Sequence, residues 1–398
     1  MTALHCRRGG CNVLLLDSQK NIGAKILMSG GTRCNLTNLT VTEKDYSSEN
    51  LRFARNVLRA FSPVKAKKFF EDLGVPVVVE EEDKVFPLNQ SAKTVLDAFL
   101  KAVSQEGIAL KTSSRVAAIN FKSPYFYANG EGFEYCSRAV VLCAGGLSYP
   151  STGSNGKGYE LAKVLGHPMV ATSAALTPLK TDDRNWKSLM GVSFPCRLTV
   201  FTDENHVSFE GPFLFTHFGF SGTVALNISR YWDRGKNKKY SPLMISFLPT
   251  ENNQTLQKKW LDAAREHPQQ TIKGFLSRRL PERFVEVFLK KINLEKEVRL
   301  SQVPKVKREE AIRKILHYPL EVTDVYGYQK AEVTAGGVDL RNIDDATMES
   351  RLQPGLFFAG EILDVDGRIG GFNFQWAWAS GAVAAQGVMK RLRANHLP

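Results

Sequence analysis

The sequence lacks several features that would assign it to a common class. No apolar run among its 398 residues approaches the roughly 18 that span a bilayer. Its six cysteines include no Cys-x-x-Cys pair, and its seven histidines include no His-x-x-x-His pair. These absences argue against a transmembrane helix, a disulfide framework, a zinc ribbon and a metal site. We therefore expect a protein of the reducing cytoplasm that has no membrane partner and no metal.

Acidic residues are fewer than basic ones. The chain has 40 Asp and Glu residues and 53 Lys and Arg residues, which gives a net charge of +13. Such an excess is compatible with nucleic-acid binding. The basic residues are scattered, however, and the denser stretches Lys236–Lys239 and Lys305–Arg308 carry no interleaved aromatic residues. We therefore favour a solvated surface with sites for phosphorylated cofactors over a nucleic-acid partner. The oligomeric state stays open.

Several elements have recognisable ends in the sequence. Met1–Arg8 is predicted to be a helix that ends at Gly9 and Gly10. The apolar run Val13–Leu16 favours a parallel strand that is buried on both faces. Ser62 and Pro63 favour the start of a helix that ends at Gly74. Ser91 caps a second predicted helix, and short strands follow up to residue 144, with a break at Asn129-Gly130.

The chain is too long for one ordinary core, and its middle differs from its two ends. We predict an α/β fold in which residues 1–170 and 325–398 form a nucleotide-binding domain. Residues 171–324 are predicted to be an inserted domain, with a β part to about residue 250 and a helical part after it. Leu356–Ala359 is a second buried strand, and we expect it to share a sheet with residues 12–17.

Apart from Gly9-Gly10, four Gly-Gly pairs stand beside polar residues, where glycine lets the backbone approach a ligand closely. This pattern favours a bound dinucleotide, although tight turns also need glycine. Asp17 ends the Val13–Leu16 run, where dinucleotide-binding units place an acid against the adenosine ribose. An ordinary loop aspartate is the alternative. The pairs are Gly30-Gly31, Gly145-Gly146, Gly336-Gly337 and Gly370-Gly371.

The G-x-G-x-x-G turn that should precede the first helix is absent, because no residue stands upstream of Met1. We therefore expect a truncated chain or a misplaced start codon. The missing segment would supply the central strand of the sheet and the helix N-terminus that binds the pyrophosphate. Dinucleotide binding by the chain as given is expected to be weak.

Five motifs carry a resemblance to a known family. They are GAKILMSGGTRCNLTN after Ile22, Phe215–Gly222, VTAGGV at 333–338, TMES at 347–350, and GLFFAGEILDVDGRIGGFNFQWAWASG at 355–381. Together they resemble the BaiN-like, YhiN-type family of NAD(P)/FAD-dependent oxidoreductases over nearly the whole chain. Thr223 departs from the proline that is usual there in the family.

The resemblance implies a glutathione-reductase-like, Rossmann-type FAD-binding domain with an inserted domain that is part β-barrel-like and part helical. It also implies that glycine-rich turns follow the pyrophosphate and ribityl chain, and that the helix after Gly370-Gly371 begins against the flavin pyrimidine. A helix start favours negative charge there. Together with Asp17, the implied cofactor contacts are Lys25, Ser29, Gly30, Gly31, Arg33, Cys34, Asn35, Val116, Ala144, Gly145, Gly146, Gly360, Glu361, Asp364, Gly370, Gly371, Phe372, Asn373 and Phe374.

The implied reaction passes hydride from NAD(P)H through FAD to an unsaturated or carbonyl-type small molecule. NAD(P)H is expected to bind only transiently, because one nucleotide-binding pattern is visible. His217 and Cys34 are candidate proton donors, although either residue can be purely structural. Arg33 and Arg368 either hold an anionic substrate group or pair with a carboxylate. The alternatives are a flavin-dependent tRNA-modifying enzyme, an oxidase that uses oxygen, and a non-catalytic, flavin-free remnant.

Overall fold

The chain divides into two compact units in a computed structural model that describes residues 1–201, 206–235 and 243–394. Unit 1 combines Met1–Ala174 with Glu332–Pro398, and unit 2 is Ala175–Ala331. The basic stretch Lys236–Lys239 lies outside the described residues. Within them, no helix combines the length and the apolar character needed to cross a membrane.

The helices fall in both units. In the described residues they are α1 (Thr2–Arg8), α2 (Ala24–Met28), α3 (Leu51–Ala60), α4 (Pro63–Asp72), α5 (Ala92–Gln105), α6 (Lys157–Val164), α7 (Arg184–Lys187), α8 (Thr223–Gly235), α9 (Asn253–Glu266), α10 (Ile272–Ser277), α11 (Glu282–Lys291), α12 (Lys305–Leu316) and α13 (Phe372–Ala394). Short 3-10 turns connect several of them.

The strands are mostly short. In the described residues they are β1 (Leu14–Leu16), β2 (Thr37–Asn38), β3 (Tyr46–Ser47), β4 (Val77–Val79), β5 (Lys84–Pro87), β6 (Ala109–Lys111), β7 (Val116–Lys122), β8 (Tyr125–Gly130), β9 (Phe133–Ser137), β10 (Val140–Leu142), β11 (Met169–Ala175), β12 (Leu179–Lys180), β13 (Ser193–Phe201), β14 (His206–Thr216), β15 (Gly219–Ser221), β16 (Leu243–Ser246), β17 (Tyr318–Pro319), β18 (Asp324–Val325), β19 (Val333–Val338), β20 (Leu356–Phe358) and β21 (Asp366–Gly367).

Unit 1 contains two parallel strand pairs. The expectation that the Val13–Leu16 strand is buried on both faces is wrong, because Leu14 is 37% exposed and the rest of β1 is half-buried. β1 pairs with β6, and β10 pairs with β20, so that residues 12–17 and 356–359 lie in separate two-stranded sheets. The expectation that they share one sheet is therefore wrong for the described part of the chain. The physical reason is that no described strand is hydrogen-bonded to both β1 and β10. The other sheets of unit 1 are two three-stranded sheets, with the orders β7-β8-β9 and β2-β5-β4, and the pairs β11-β19 and β21-β3.

The predicted helix and strand ends are partly confirmed. α1 ends before Gly9 as expected, and the Ser62 hydroxyl accepts a hydrogen bond from the Lys65 N–H at the start of α4. Ser91 is the N-cap residue of α5 as predicted, although its side chain accepts no capping hydrogen bond. The break expected at Asn129-Gly130 is also displaced: β8 continues through Gly130, and Gly132 takes the positive φ of 75° that the turn requires.

Helix α13 runs through the core of unit 1, where most of its length is buried. Small residues let its backbone approach neighbouring segments closely. The Thr2 hydroxyl donates a hydrogen bond to the Gly381 carbonyl at 2.8 Å, and a Cβ added to Gly387 would lie 2.2 Å from the Thr347 carbonyl oxygen. These contacts hold α1 and the 347–350 segment against α13.

Unit 2 is built on a seven-stranded sheet with the order β17-β16-β13-β14-β15-β12-β18. Alternate residues of β13 are buried, as period-two patterning of a half-buried sheet requires. Phe215, Phe247 and Phe284 surround the fully buried Trp186, whose ring lies 6.1 Å from Phe284 at an interplanar angle of 12°. Complete burial of each such ring stabilises the fold by about 1.5–3 kcal/mol.

Candidate cofactor site

A cavity of about 1270 Å³ lies within unit 1, and its lining includes the residues of β1 and β10. Five of the predicted cofactor contacts line it together: Asp17, Lys25, Val116, Ala144 and Gly145. The other predicted contacts, in the segments 29–35, 360–364 and 370–374 and at residue 146, are not part of this lining. The structure therefore joins one part of the predicted set in a single cavity.

Asp17 follows the last residue of β1 and is held by the turn after it. One carboxylate oxygen accepts a hydrogen bond from the Gln19 N–H at 2.7 Å, and the Asp17 N–H donates to the Lys111 carbonyl at 2.9 Å. The Asp17 carbonyl accepts from the Ser114 N–H at 2.8 Å. Asp17 is thus an ordered acid at a strand end, on the wall of the cavity.

The turn after β10 requires its glycines. Gly145 has a φ of 70°, and a Cβ added there would lie 2.9 Å from the Ser154 hydroxyl. A Cβ added to Gly146 would lie 2.4 Å from the Thr334 hydroxyl. Because no side chain intervenes, the turn exposes its backbone to the cavity beside Ala144.

A polar network ties Lys25 to three distant segments. The Lys25 ammonium group donates to the Ser148 hydroxyl and to Glu361, each at 2.5 Å, and Ser148 donates to the other Glu361 oxygen at 2.5 Å. The Thr334 N–H donates to Glu361 at 2.9 Å. The Thr334 hydroxyl accepts from the N–H groups of Leu147 and Ser148 at 2.8 and 3.1 Å. Lys25 and Glu361 were predicted, whereas Ser148 and Thr334 were missed.

The turn Ser29–Asn35 has strained backbone. Gly30, Gly31, Thr32 and Cys34 have φ values of 55°, 65°, 71° and 63°. This left-handed region is uncommon for a β-branched residue such as Thr32, and such strain is concentrated at functional sites. Residues 30–32 are exposed to solvent. The ligand-binding role of this turn stays a prediction.

Cys34 itself is fully buried, and burial raises the pKa of its thiol to about 12. The thiol therefore keeps its proton at neutral pH and transfers it reluctantly. Its backbone N–H donates to the Ser29 carbonyl at 3.2 Å, which closes the turn. These contacts favour a packing role for Cys34 and leave His217 as the stronger candidate proton donor.

Both candidate anion-binding arginines are paired with carboxylates. Arg33 lies 3.1 Å from Glu80 and 4.1 Å from the Phe86 ring centroid. Arg368 donates to Asp45 at 2.8 Å. The geometry therefore favours carboxylate pairing by these two arginines over the binding of an anionic substrate group.

The start of α13 meets the 29–35 turn. Gly371 has a φ of 93°, and a Cβ added there would lie 2.6 Å from the Thr37 carbonyl carbon. The Asn35 amide, in the orientation that satisfies its neighbours, accepts from the Gly371 N–H at 3.2 Å and donates to the Thr37 carbonyl at 2.9 Å. Asn373 accepts from the Gly367 N–H at 2.8 Å and donates back to the Gly367 carbonyl at 2.9 Å. Two predicted segments, distant in sequence, are thereby brought together.

The remaining predicted residues pack around α13. Gly360 has a φ of 80°, and its N–H donates to the Ser380 hydroxyl at 2.9 Å. Asp364 is buried and accepts a long hydrogen bond of 3.4 Å from the Glu49 N–H. The fully buried Phe372 and the Phe374 ring, which stacks on Trp378 at 5.2 Å, fix the first turn of the helix. These residues support the turn that opens α13.

His217 lies in unit 2, at the exposed tip between β14 and β15. The Thr216 hydroxyl donates to the Gly219 carbonyl at 3.0 Å and accepts from the Gly219 N–H at 3.1 Å, which closes the tip. The imidazole packs edge-on against Phe218, with 4.9 Å between the ring centroids. The tip thus presents an ordered histidine to solvent.

Comparisons with known proteins agree with this geometry. The family model described as HI0933-like protein Rossmann domain matches residues 1–387. A protein of Escherichia coli (strain K12) named ribosomal RNA dihydrouridine synthase is 33% identical over 385 residues, which cover 96% of this chain and 93% of that protein. A Clostridium scindens protein named 3-dehydro-bile acid delta(4,6)-reductase is 30% identical over 385 residues, which cover 96% of this chain and 94% of that protein.

A solved structure also matches. Quinol-fumarate reductase with menaquinol molecules shares a TM-score of 0.50 and 14% identity, and the match covers 100% of this chain and 70% of that chain. An identity this low is informative about the fold alone. The predicted Rossmann-type FAD-binding fold and the predicted resemblance are confirmed. The chain belongs to the HI0933-like Rossmann-domain family, the BaiN/YhiN type of flavin-dependent oxidoreductase.

Proposed function

We propose that the protein binds FAD in unit 1, takes hydride from NAD(P)H, and reduces a carbon–carbon double bond conjugated to a carbonyl, with a uracil of ribosomal RNA as the acceptor. The observation that carries the cofactor part is the match to the Rossmann-domain family over residues 1–387, together with Asp17, Lys25 and the Ala144-Gly145 turn, which line one cavity. Six free cysteines support a reducing, cytoplasmic setting.

The residues present fit FAD. Asp17 would accept hydrogen bonds from the adenosine ribose, and Val116 would present backbone to the adenine. The turn at Gly145 would admit the nucleotide without a side-chain clash. Lys25, one-third exposed beside Glu361, would offer a positive charge to the pyrophosphate. The amide groups at the start of α13 would favour negative charge on the reduced flavin.

When bound, FAD supplies hydride transfer between the nicotinamide and the acceptor. The chain's own residues then position the acceptor and supply a proton. His217 is the proposed donor, because its imidazole can act as a general acid and lies exposed at the tip between β14 and β15. Unit 2 is accordingly proposed as the substrate-binding domain. Cys34 is the weaker candidate, because its thiol is buried.

The names of two relatives indicate a common class of acceptor. Dihydrouridine forms when two hydrogens add across the C5–C6 double bond of uracil, which is conjugated to the C4 carbonyl. The bile-acid name describes reduction of double bonds in a 3-oxo compound. One reaction class therefore covers both names. The positive charge is concentrated in unit 2, and this distribution favours RNA, against the expectation from the whole chain that a nucleic-acid partner is unlikely.

A small-molecule enone is the second candidate, supported by the 30% identity to the Clostridium scindens protein. It preserves the small-molecule acceptor that the motifs predict. The positive charge of unit 2 would then serve no role in substrate binding. A comparison of the two acceptors in one assay therefore separates the candidates.

The test uses FAD-loaded protein under anaerobic conditions. NADH and NADPH are compared for their rates of flavin reduction, and the reduced protein is then mixed with uridine-containing ribosomal RNA or with a 3-oxo-4,6-diene steroid. We expect RNA to reoxidise the flavin and to gain dihydrouridine, detected by mass spectrometry. Reoxidation by the steroid alone would establish the second candidate. No FAD binding, or no reoxidation by either acceptor, would contradict the proposal.

The His217→Ala variant tests the proton donor in the same assay. General acid catalysis typically contributes about 10²–10⁴-fold in rate. We expect a loss of that order in acceptor reduction, with FAD content and flavin reduction by NAD(P)H retained. An equal loss in both half-reactions would mark His217 as structural.

A further inference from the structure

Positive charge is concentrated in unit 2. Its 157 residues contain 26 Lys and Arg against 17 Asp and Glu, whereas the remaining 241 residues contain 27 against 23. A domain that contacts nucleic acid needs such an excess, because phosphate contacts dominate the affinity. The charge asymmetry therefore favours unit 2 as the location of an RNA-binding surface.

Much of this charge is already neutralised by ion pairs. Lys291 is paired with Asp183, and Lys273 lies 2.6 Å from Glu282. Lys180 and Lys330 differ, since among the described residues neither has a carboxylate oxygen within 4.0 Å. Both lysines instead lie against aromatic rings.

Lys180, Phe218, Tyr326 and Lys330 form one continuous cluster, here named the lysine–aromatic patch. The Lys330 ammonium group lies 4.6 Å from the ring centroids of both Phe218 and Tyr326, and the Lys180 ammonium group lies 5.2 Å from that of Tyr326. The two rings are 5.1 Å apart at an interplanar angle of 70°. All four residues are half-buried, with part of each side chain open to solvent.

The fold explains why these residues are on the surface. Phe220 of β15 is fully buried in the core of unit 2, whereas Phe218 lies at the hairpin tip before β15. Lys180 is on β12, next to the edge strand β18, and Tyr326 directly follows that strand. The Thr181 N–H donates to the Phe218 carbonyl at 3.2 Å, which fixes the tip against β12. The patch is therefore an ordered feature at one edge of the sheet.

Lysines beside half-exposed aromatic rings have the chemistry that single-stranded RNA requires. Ammonium groups neutralise phosphates, while aromatic rings stack with unpaired bases. The patch also adjoins His217, the proposed proton donor, whose ring contacts Phe218. A strand held on the patch would thus pass beside the group proposed to act on the uracil.

We propose that the lysine–aromatic patch binds a single-stranded segment of ribosomal RNA, with Lys180 and Lys330 on phosphates and the two rings against bases. This inference rests on the proposed RNA substrate and extends it by naming the surface. In this arrangement, the other basic groups of unit 2 contribute less to RNA affinity than these two lysines.

The test compares two double variants of the FAD-loaded full chain. Lys180→Gln/Lys330→Gln removes the two patch lysines, and Lys305→Gln/Lys307→Gln removes two exposed lysines of α12 as a matched control. Binding of a fluorescent, uridine-containing single-stranded RNA is measured over a range of salt concentrations. Removal of one phosphate-binding lysine should reduce the slope of log K against log salt by about 0.7.

We expect the slope of the patch variant to fall by about 1.4 and its affinity to fall roughly tenfold at 0.1 M salt, while the control variant stays near wild type. Tyr326→Leu should weaken binding with the slope retained, because the substitution removes a ring and no charge. Flavin reduction by NAD(P)H should be unchanged in all three variants, which verifies folding. Equal weakening in the patch and control variants, or none in the patch variant, would overturn the inference.

The same variants separate this inference from the proposed function. If wild-type protein binds RNA through the patch but forms no dihydrouridine, the patch stands and the proposed reaction fails. If wild-type protein forms dihydrouridine and the patch variant does so equally well with unchanged RNA affinity, the reaction stands and the patch fails.

Discussion

Substitution of Asp17 tests the cofactor site, because the carboxylate has two properties that different substitutions separate. It carries a negative charge, and it accepts a hydrogen bond from the Gln19 N–H at 2.7 Å. The residue lines the cavity at the end of β1. A hydrogen bond to a charged group contributes about 1.5–3 kcal/mol. Removal of the proposed ribose interactions in Asp17→Ala should therefore weaken FAD binding by about tenfold to about a hundredfold.

Asp17→Asn keeps an oxygen for the Gln19 N–H but removes the charge. Neutral hydrogen bonds are roughly half as strong as charge-assisted ones, so we expect FAD to bind about three- to tenfold more weakly. Asp72→Asn, on an exposed helix surface beside Lys68, is the matched control and should not alter binding. Titration of flavin-free protein with FAD, followed by flavin fluorescence, measures all three variants. Unchanged affinity in a correctly folded Asp17→Ala variant would refute the assignment.

Three further predictions address the architecture of the site. Thr334→Val removes the acceptor of one buried and one partly buried N–H group and should cost about 1–3 kcal/mol of stability in chemical denaturation, whereas Thr334→Ser should stay close to wild type. Gly371→Ala should lower the melting temperature more than Gly166→Ala does, because both have positive φ but only Gly371 lacks space for a Cβ; equal effects would contradict this. Cys34 has a folded pKa of about 12, above its ordinary 9.0, so its stabilising contribution is present below pH 9 and is lost as pH rises towards 12. Cys34→Ala should therefore show a smaller alkaline loss of stability, and an identical pH profile would count against the buried thiol.

Local patterns predicted the elements well, because their causes lie within a few residues. The proline at position 63 and the glycine after Arg8 act on the adjacent backbone, and α4 and α1 have the expected ends. The displaced turn at Asn129-Gly130 shows the limit of this reasoning. A second glycine, Gly132, was available two residues later, and strand pairing between β8 and β9 selected it.

Long-range relations were harder to predict. Ser148 and Thr334 are separated by 186 positions, and neither has a local feature that indicates their hydrogen bond. The VTAGGV motif, which contains Thr334, was the one available signal. Strand pairing between distant segments is set by tertiary packing, so the sequence indicated strands at 14–16 and 356–358 without revealing that they lie in separate sheets. Asp17 and Gly145 were predicted because acids and glycines at strand ends have a recurring role in nucleotide binding, whereas Lys25 was implied by the family resemblance alone.

The proposed transfer of hydride through FAD to a uracil in RNA can be followed in one experiment. The most direct measurement follows the flavin absorbance of FAD-loaded protein anaerobically, first on addition of NAD(P)H and then on addition of ribosomal RNA. We expect the flavin absorbance to bleach on addition of NAD(P)H and then to return on addition of RNA, with one mole of dihydrouridine formed for each mole of flavin reoxidised. Reduced flavin that persists in the presence of RNA, with no dihydrouridine in the product, would contradict the proposed transfer.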